Sequence, residues 1–193
     1  MKGFSDTLLK NHFKLYEGYV SNTNKLLVEL NTVAKEGKAK TPYYSELKRR
    51  FGWEFNGMRL HEHYFDNLTP SGSPLPGETP LSKKLAEDFG SFEDWEKDFK
   101  ATGAMRGIGW VVLYFDGQAG RLINSWIDEH DSGHLTGCAP ILVMDVFEHA
   151  FLLDYGLERG EYIEAFFKAV NWSAVGERFQ QAKTAASRPA VVG

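Results

Sequence analysis

Six histidines and one Asp-x-x-x-His pair carry the chemistry open to this chain. At about 100° per residue, His12 falls in the middle of an apolar helical stripe that includes Leu8, Tyr16, Tyr19, Leu26 and Leu30, with Lys14, Glu17 and Lys25 on the far side. The same projection turns His61 toward the side of Met58, Phe65 and Leu68, and turns His63 outward into solvent. An inward histidine on each of two packed helices must find a partner, because a buried polar group without one costs about 1–3 kcal/mol. Either ring alone is satisfied by an ordinary buried hydrogen bond; two together point to a shared partner. Asp145 and His149 follow the apolar run Pro-Ile-Leu-Val-Met, and their four-residue spacing lets both side chains reach one point. Three imidazoles and one carboxylate make a site of intermediate hardness, suited to iron, manganese, zinc or copper. A single cysteine, Cys138, rules out intrachain disulfides and Cys-rich structural zinc. With no His-Glu-x-x-His and no paired Glu-x-x-His, one mononuclear metal is the economical reading.

Such residues need elements to hold them. Leu8, Leu9, Phe13, Tyr16, Tyr19, Val20, Leu26, Leu27 and Leu30 recur in steps of three and four, which predicts one long amphipathic helix. A break around Lys38–Pro42 leads to a second helical stretch through Phe51, Phe55, Met58, Phe65 and Leu68, making an antiparallel helical hairpin. Residues 69–80 hold four prolines and two glycines, a density that no helix or central strand survives. The chain is therefore divided into an N-terminal hairpin domain, 1–72, and a second domain, 73–193, with the metal site between them. In the second domain, Thr79-Pro80 reads as an N-cap followed by proline at the first helical position, and Ser91-Phe-Glu-Asp94 as a capping box. Strands are predicted at Gly109–Asp116 and Arg121–Asp128, joined as a hairpin by Gly117–Gly120, with a third at Ile141–Met144. Helices resume near Glu148, Glu161 and Ser173, and the tail from Lys183 is small and polar enough to fray. The fold class is α+β, with a small, three-stranded antiparallel sheet in the second domain.

A net charge of −4 argues against a nucleic-acid or anionic-membrane binder that relies on bulk positive charge. No apolar run is long enough to span a membrane, and the opening residues lack a signal-peptide core, so a cytoplasmic protein is expected. An aromatic fraction of 14% suggests rings lining the surroundings of the site.

Asp145-Val-Phe-Glu-His-Ala150 resembles the Asp-x-Trp-x-His-Ala motif of the iron/manganese superoxide dismutases. The similarity continues through Asp154-Tyr155, Arg159, Tyr162-Ile-Glu-Ala-Phe166 and Val170-Asn-Trp172, and upstream through Gly90-Ser-Phe, Gly107-Ile-Gly-Trp110 and Tyr19-Val-x-Asn-x-Asn24. The resemblance implies the metal ligands His12, His61, Asp145 and His149, one iron or manganese ion per subunit with iron preferred, and superoxide as substrate. His61 is chosen over His63 because that register also sets Tyr64, Phe65 and Leu68 on the family's own aromatic, aromatic and leucine positions. It further implies Tyr19 as the phenol at the substrate channel, Arg159 as the channel arginine, and a homodimer, able to pair further into a tetramer, in which Glu148 contacts His149 of the partner subunit. His130 occupies the place where many members carry a glutamine that hydrogen-bonds metal-bound solvent, while Gly57 stands at the other known origin of that glutamine and leaves room for His130. An imidazole there can titrate near pH 6.5 if its environment allows, and a donor unlike either glutamine arrangement predicts loose discrimination between iron and manganese. His134 has no counterpart and reads as a loop residue.

Several positions depart from the pattern. Phe147 replaces the motif tryptophan, Leu15 and Leu152 replace a histidine and its cross-subunit tyrosine, and the shortened step from His12 to Tyr19 requires a first helix without a π-bulge. Losing both ends of a hydrogen-bonded pair can be nearly neutral, and the two leucines are expected to lie together near the subunit contact. The competing reading is a metal-binding protein of the same fold with weak or no dismutase activity.

Overall fold

The first apolar stripe becomes one uninterrupted α-helix, α1 (Asp6–Lys35), with no π-turn inside it. A computed structural model of the chain describes residues 1–74 and 77–187. Ser5 caps α1 by accepting the Leu8 N–H, and is itself pinned by Asp154, which takes both its N–H and its hydroxyl at 2.7 Å. Thr41 caps α2 (Pro42–Asp66), whose proline sits where a missing N–H costs nothing. The two helices pack as the expected hairpin. The buried face of α2 differs from the predicted one: it runs through Glu54, Gly57, Met58, Leu60, His61 and Tyr64, whereas Phe51 and Phe55 are half-buried against each other and Leu68 lies past the helix end. A carboxylate can occupy that face because Arg50 and Asn22 bond it there.

Beyond residues 69–80 come α3 (Pro80–Phe89) and α4 (Phe92–Gly103). Thr79 and Ser82 exchange bonds in a full capping box, and Ser91 accepts the Asp94 N–H to start α4. The sheet is antiparallel with order β2-β1-β3, built from β1 (Trp110–Asp116), β2 (Arg121–Ile127) and β3 (Cys138–Asp145). The apolar run of β1 takes the central place. β3 begins earlier than expected because its proline is tolerated: Tyr114 faces Pro140 while Leu113 faces Leu142, so Ile141 bulges out of an edge strand. Gly109 makes the approach to β1 possible, since a Cβ at this φ of +133° would lie 2.0 Å from the Ile127 carbonyl oxygen.

The segment expected to be helical from Glu148 is a single 3₁₀ turn (Glu148–Ala150), followed by short α5 (Leu152–Tyr155), α6 (Arg159–Ala169) and α7 (Trp172–Ala186). The tail predicted to fray from Lys183 stays helical to Ala186, with Ala182 packed on the core and the Lys183 ammonium over the Phe179 ring. Residues 188–193 lie outside the described residues.

One polar knot sets the two halves in register. Buried Asn67, at the end of α2, donates to the Val143 carbonyl at 2.8 Å, accepts Arg178 from α7 at 2.7 Å, and its own carbonyl accepts the Asn171 N–H. Every polar atom of that side chain is thus used across element boundaries, which fixes α2 against β3 and α7. His61, less than two turns back, and Asp145, two residues beyond Val143, are brought face to face by it.

Candidate metal centre

His12 from α1, His61 from α2, Asp145 at the end of β3 and His149 in the 3₁₀ turn converge, each offering one atom within 4.8 Å of the others. The first three are buried and His149 is half-buried. Asp145 is held at three points: its carbonyl accepts the Tyr162 hydroxyl at 2.6 Å, Oδ1 accepts the Phe147 N–H at 2.8 Å, and Oδ2 faces the imidazoles. His12 Nε2 lies 3.0 Å, His149 Nε2 2.9 Å and His61 Nε2 3.7 Å from that single oxygen.

These four residues fit a cation. His61 Nδ1 lies 2.6 Å from the Gly57 carbonyl and can only donate to it, so the neutral ring presents a bare lone pair at Nε2. That nitrogen has no partner among the described residues and faces carboxylate oxygen, electron pair against electron pair. Burial pushes the His61 imidazole down to about 3 and also lowers that of His12, so a proton does not fill the gap near neutrality. Burial would raise the Asp145 carboxyl, but the nearby His149 and His12 outweigh it and hold the group well below the usual carboxylate range. Three nitrogens and one anionic oxygen converging on one point suit a divalent or trivalent transition metal.

A ring of aromatic side chains surrounds the cluster, as the composition suggested. Tyr19 stacks on His61 with centroids 5.1 Å apart, Trp110 meets His61 edge-on at 5.0 Å, and Tyr64 and Phe65 flank His12. The room at Gly57 is taken by Tyr19 and not by His130: a Cβ on Gly57 would lie 2.7 Å from Tyr19 Cδ1. His130 instead bonds the tyrosine hydroxyl, with Nε2 2.7 Å from Oη, while its Nδ1 accepts the Trp110 indole N–H at 3.0 Å. An indole only donates, so Trp110 fixes the neutral tautomer and His130 Nε2–H donates to Tyr19. Burial pushes His130 down to about 4, so its environment does not allow the titration near 6.5 that the sequence left open. Burial, with Asp145 next, pushes the Tyr19 phenol well up, so it keeps its proton.

His134 is more than a loop residue. It lies within 2.8 Å of the His130 carbonyl through Nε2 and of the Tyr114 hydroxyl through Nδ1, tying the loop that carries His130 to β1. Only the pairing of a loop histidine with an inward strand tyrosine could have signalled this, and the two are distant in sequence. Burial also raises the Tyr114 phenol well above 10. The fold keeps that proton while the unfolded chain releases it, so stability is full below about pH 10 and declines as pH rises beyond it. Tyr114→Phe is expected to make this alkaline decline shallower, read as the urea midpoint between about pH 9 and 11.

His63 stands outside the cluster, as the projection indicated, but it is half-buried and not in solvent. Arg178 of α7 adds its charge to the burial that pushes His63 down to about 4. Arg159 donates to the carbonyls of Met105 and Gly107 at 2.8 and 2.7 Å and lies over the Phe151 ring, two residues beyond His149.

Residues 77–178, more than half of the chain, match the family described as iron/manganese superoxide dismutases, C-terminal domain. A protein of Aquifex pyrophilus named superoxide dismutase (Fe) is 40% identical over 190 residues, 96% of this chain and 88% of that protein. The chain belongs to the iron/manganese superoxide dismutase family. Within the family it is also 35% identical to a superoxide dismutase (Mn) 2 of Haloferax volcanii, over 89% of this chain and 84% of that protein. A superoxide dismutase (Fe) of Cupriavidus metallidurans shares 35% identity over 94% of this chain and 91% of its own length. Relatives named for either metal thus align with most of this chain. The hairpin, the three-stranded antiparallel sheet and the α+β class are those that the periodicity of the sequence predicted.

Proposed function

We propose that this chain is a superoxide dismutase, converting two superoxide anions and two protons to oxygen and hydrogen peroxide, with one iron or manganese ion per subunit held by His12, His61, Asp145 and His149. The observation that carries the reading is the unprotonated Nε2 of buried His61, aimed at Asp145 Oδ2 alongside two more imidazoles. A bound iron or manganese ion supplies the one-electron couple between +2 and +3 states, which zinc lacks. The chain supplies position and protons. Gly57 orients His61 through its carbonyl and seats Tyr19 through its missing side chain. Trp110 sets the His130 tautomer, and His130 donates to the Tyr19 oxygen, which leaves the phenol's own proton to point elsewhere, toward the substrate channel. Arg159 is a cation beside the segment that carries His149, and draws the anionic substrate in while it braces the loop before β1.

The site lies between the units 1–72 and 73–193. A homodimer, able to pair into a tetramer, is supported by the exposed Glu148 next to His149, which suits a contact with His149 of the partner subunit, and by exposed Leu15 and Leu152. No helix among the described residues is long and apolar enough to cross a membrane; a cytoplasmic placement is part of this proposal. Iron is the preferred occupant, and manganese reconstitution is expected to retain activity.

Metal analysis and superoxide consumption on one preparation test the function: bound iron or manganese with catalytic consumption supports it, and bound metal without consumption leaves a metal-binding protein of this fold. Gly57→Ala is expected to displace the Tyr19 ring and lower turnover about tenfold to a hundredfold with metal content unchanged.

A further inference from the structure

A groove between α1 and α2 ends on Tyr19, and a bridge of three side chains splits it in two. The inner lobe, a cavity of about 240 Å³, is lined by Lys14, Tyr19 and Trp53 among others; the outer lobe holds about 330 Å³. Asn22, Arg50 and Glu54 line both. Glu54 is 2% exposed, and its Oε1 accepts Arg50 Nε at 2.8 Å, Arg50 Nη2 at 2.7 Å and Asn22 Nδ2 at 3.3 Å. Its other oxygen, equally buried, has no partner among the described residues. A carboxylate taken out of water at this position, with all its bonds gathered on one oxygen, holds the guanidinium by one edge and leaves Nη1 without a partner among the described residues. The Arg50 side chain is itself 55% exposed. The guanidinium lies 4.1 Å over the Trp53 ring, and Trp53 in turn packs on Tyr19 and His130.

Resting on the dismutase reading, we propose that superoxide reaches Tyr19 through the inner lobe, that Arg50 is the docking cation at its mouth, and that Glu54 is the positioning residue that holds Arg50 there. The overall charge of −4 repels an anionic substrate, so a local cation on the approach path sets the encounter rate. Glu54 moderates that cation as well as placing it, and the two residues therefore have opposite electrostatic effects.

The test is the ionic-strength dependence of kcat/KM for superoxide, measured on metal-loaded protein. Arg50→Gln is expected to lower kcat/KM about threefold to fivefold at low salt, to flatten its decline with salt, and to leave kcat unchanged. Arg50→Lys restores most of the slope. Glu54→Gln keeps an oxygen for Arg50 but removes the negative charge, so the slope steepens. A purely structural role would not move the two slopes in opposite directions. Because Arg50 is largely exposed, Arg50→Gln remains informative even if Glu54→Gln folds poorly. If parent and Arg50→Gln share one rate and one salt slope, the docking role is overturned while the dismutase reading stands; a metal-loaded parent that consumes no superoxide overturns the dismutase reading itself.

Discussion

His61→Ala is expected to come through purification with about a tenth or less of the parent's bound iron or manganese, while His63→Ala keeps the parent's full complement. His61 supplies the only cluster nitrogen from α2, and its ring is set for that part by the Gly57 carbonyl at 2.6 Å. Removing it leaves three donors and an opening beside Asp145, and no neighbouring acid or imidazole of α2 is placed to substitute. His63 stands outside the cluster, and losing its half-buried ring costs about 1 kcal/mol of packing without touching the centre. Because metal binds only the folded chain, His61→Ala also loses the increment in melting temperature that added metal gives the parent. The measurement is metal per subunit by elemental analysis, together with melting curves with and without added metal. Retention by His61→Ala and loss by His63→Ala would reverse the assignment of α2.

Helical phase was enough to separate those two histidines, because period and burial agree along most of α1 and at the C-terminal end of α2. His12 and His61 were legible from phase within one helix each, and Asp145 with His149 from a four-residue spacing that runs from the end of β3 into the 3₁₀ turn. Spacing stopped short wherever partners decide. Glu54, seven residues before His61, shares its face of α2, and a carboxylate is buried there only because Arg50 and Asn22 bond it. Pro140 reads as the boundary of a strand, yet β3 runs through it, because an edge position and a bulge at Ile141 absorb the missing donor. The exposure assigned to His63 was wrong for the same reason: the ring is half-buried and feels the charge of Arg178, more than a hundred residues later in the chain, and no spacing within α2 reveals that. His130 was placed at the gate by family resemblance alone, and only the structure shows that its bonds run to Trp110 and Tyr19. The motif thus locates a residue, while the direction of its hydrogen bonds depends on three segments meeting.

That direction can be tested by removing one donor. Trp110→Phe keeps an aromatic ring in the buried position but takes away the N–H that fixes His130. His130 is then free to carry its proton on Nδ1, which makes Nε2 an acceptor and obliges Tyr19 to donate to it. The phenol's proton is thereby turned away from the channel. Turnover is expected to fall about tenfold to a hundredfold, the usual size of such outer-sphere effects, with metal content unchanged. Loss of packing around the indole would also lower turnover, so a second variant separates the causes. In His130→Gln the amide nitrogen can donate to Tyr19 whether or not residue 110 offers an N–H, because an amide has no tautomer to lose. Adding Trp110→Phe to His130→Gln should therefore cost much less than adding it to the parent, a coupling read from the four rates of a double-mutant cycle. If Trp110→Phe is equally costly in both backgrounds, the indole acts through packing and the tautomer plays no part.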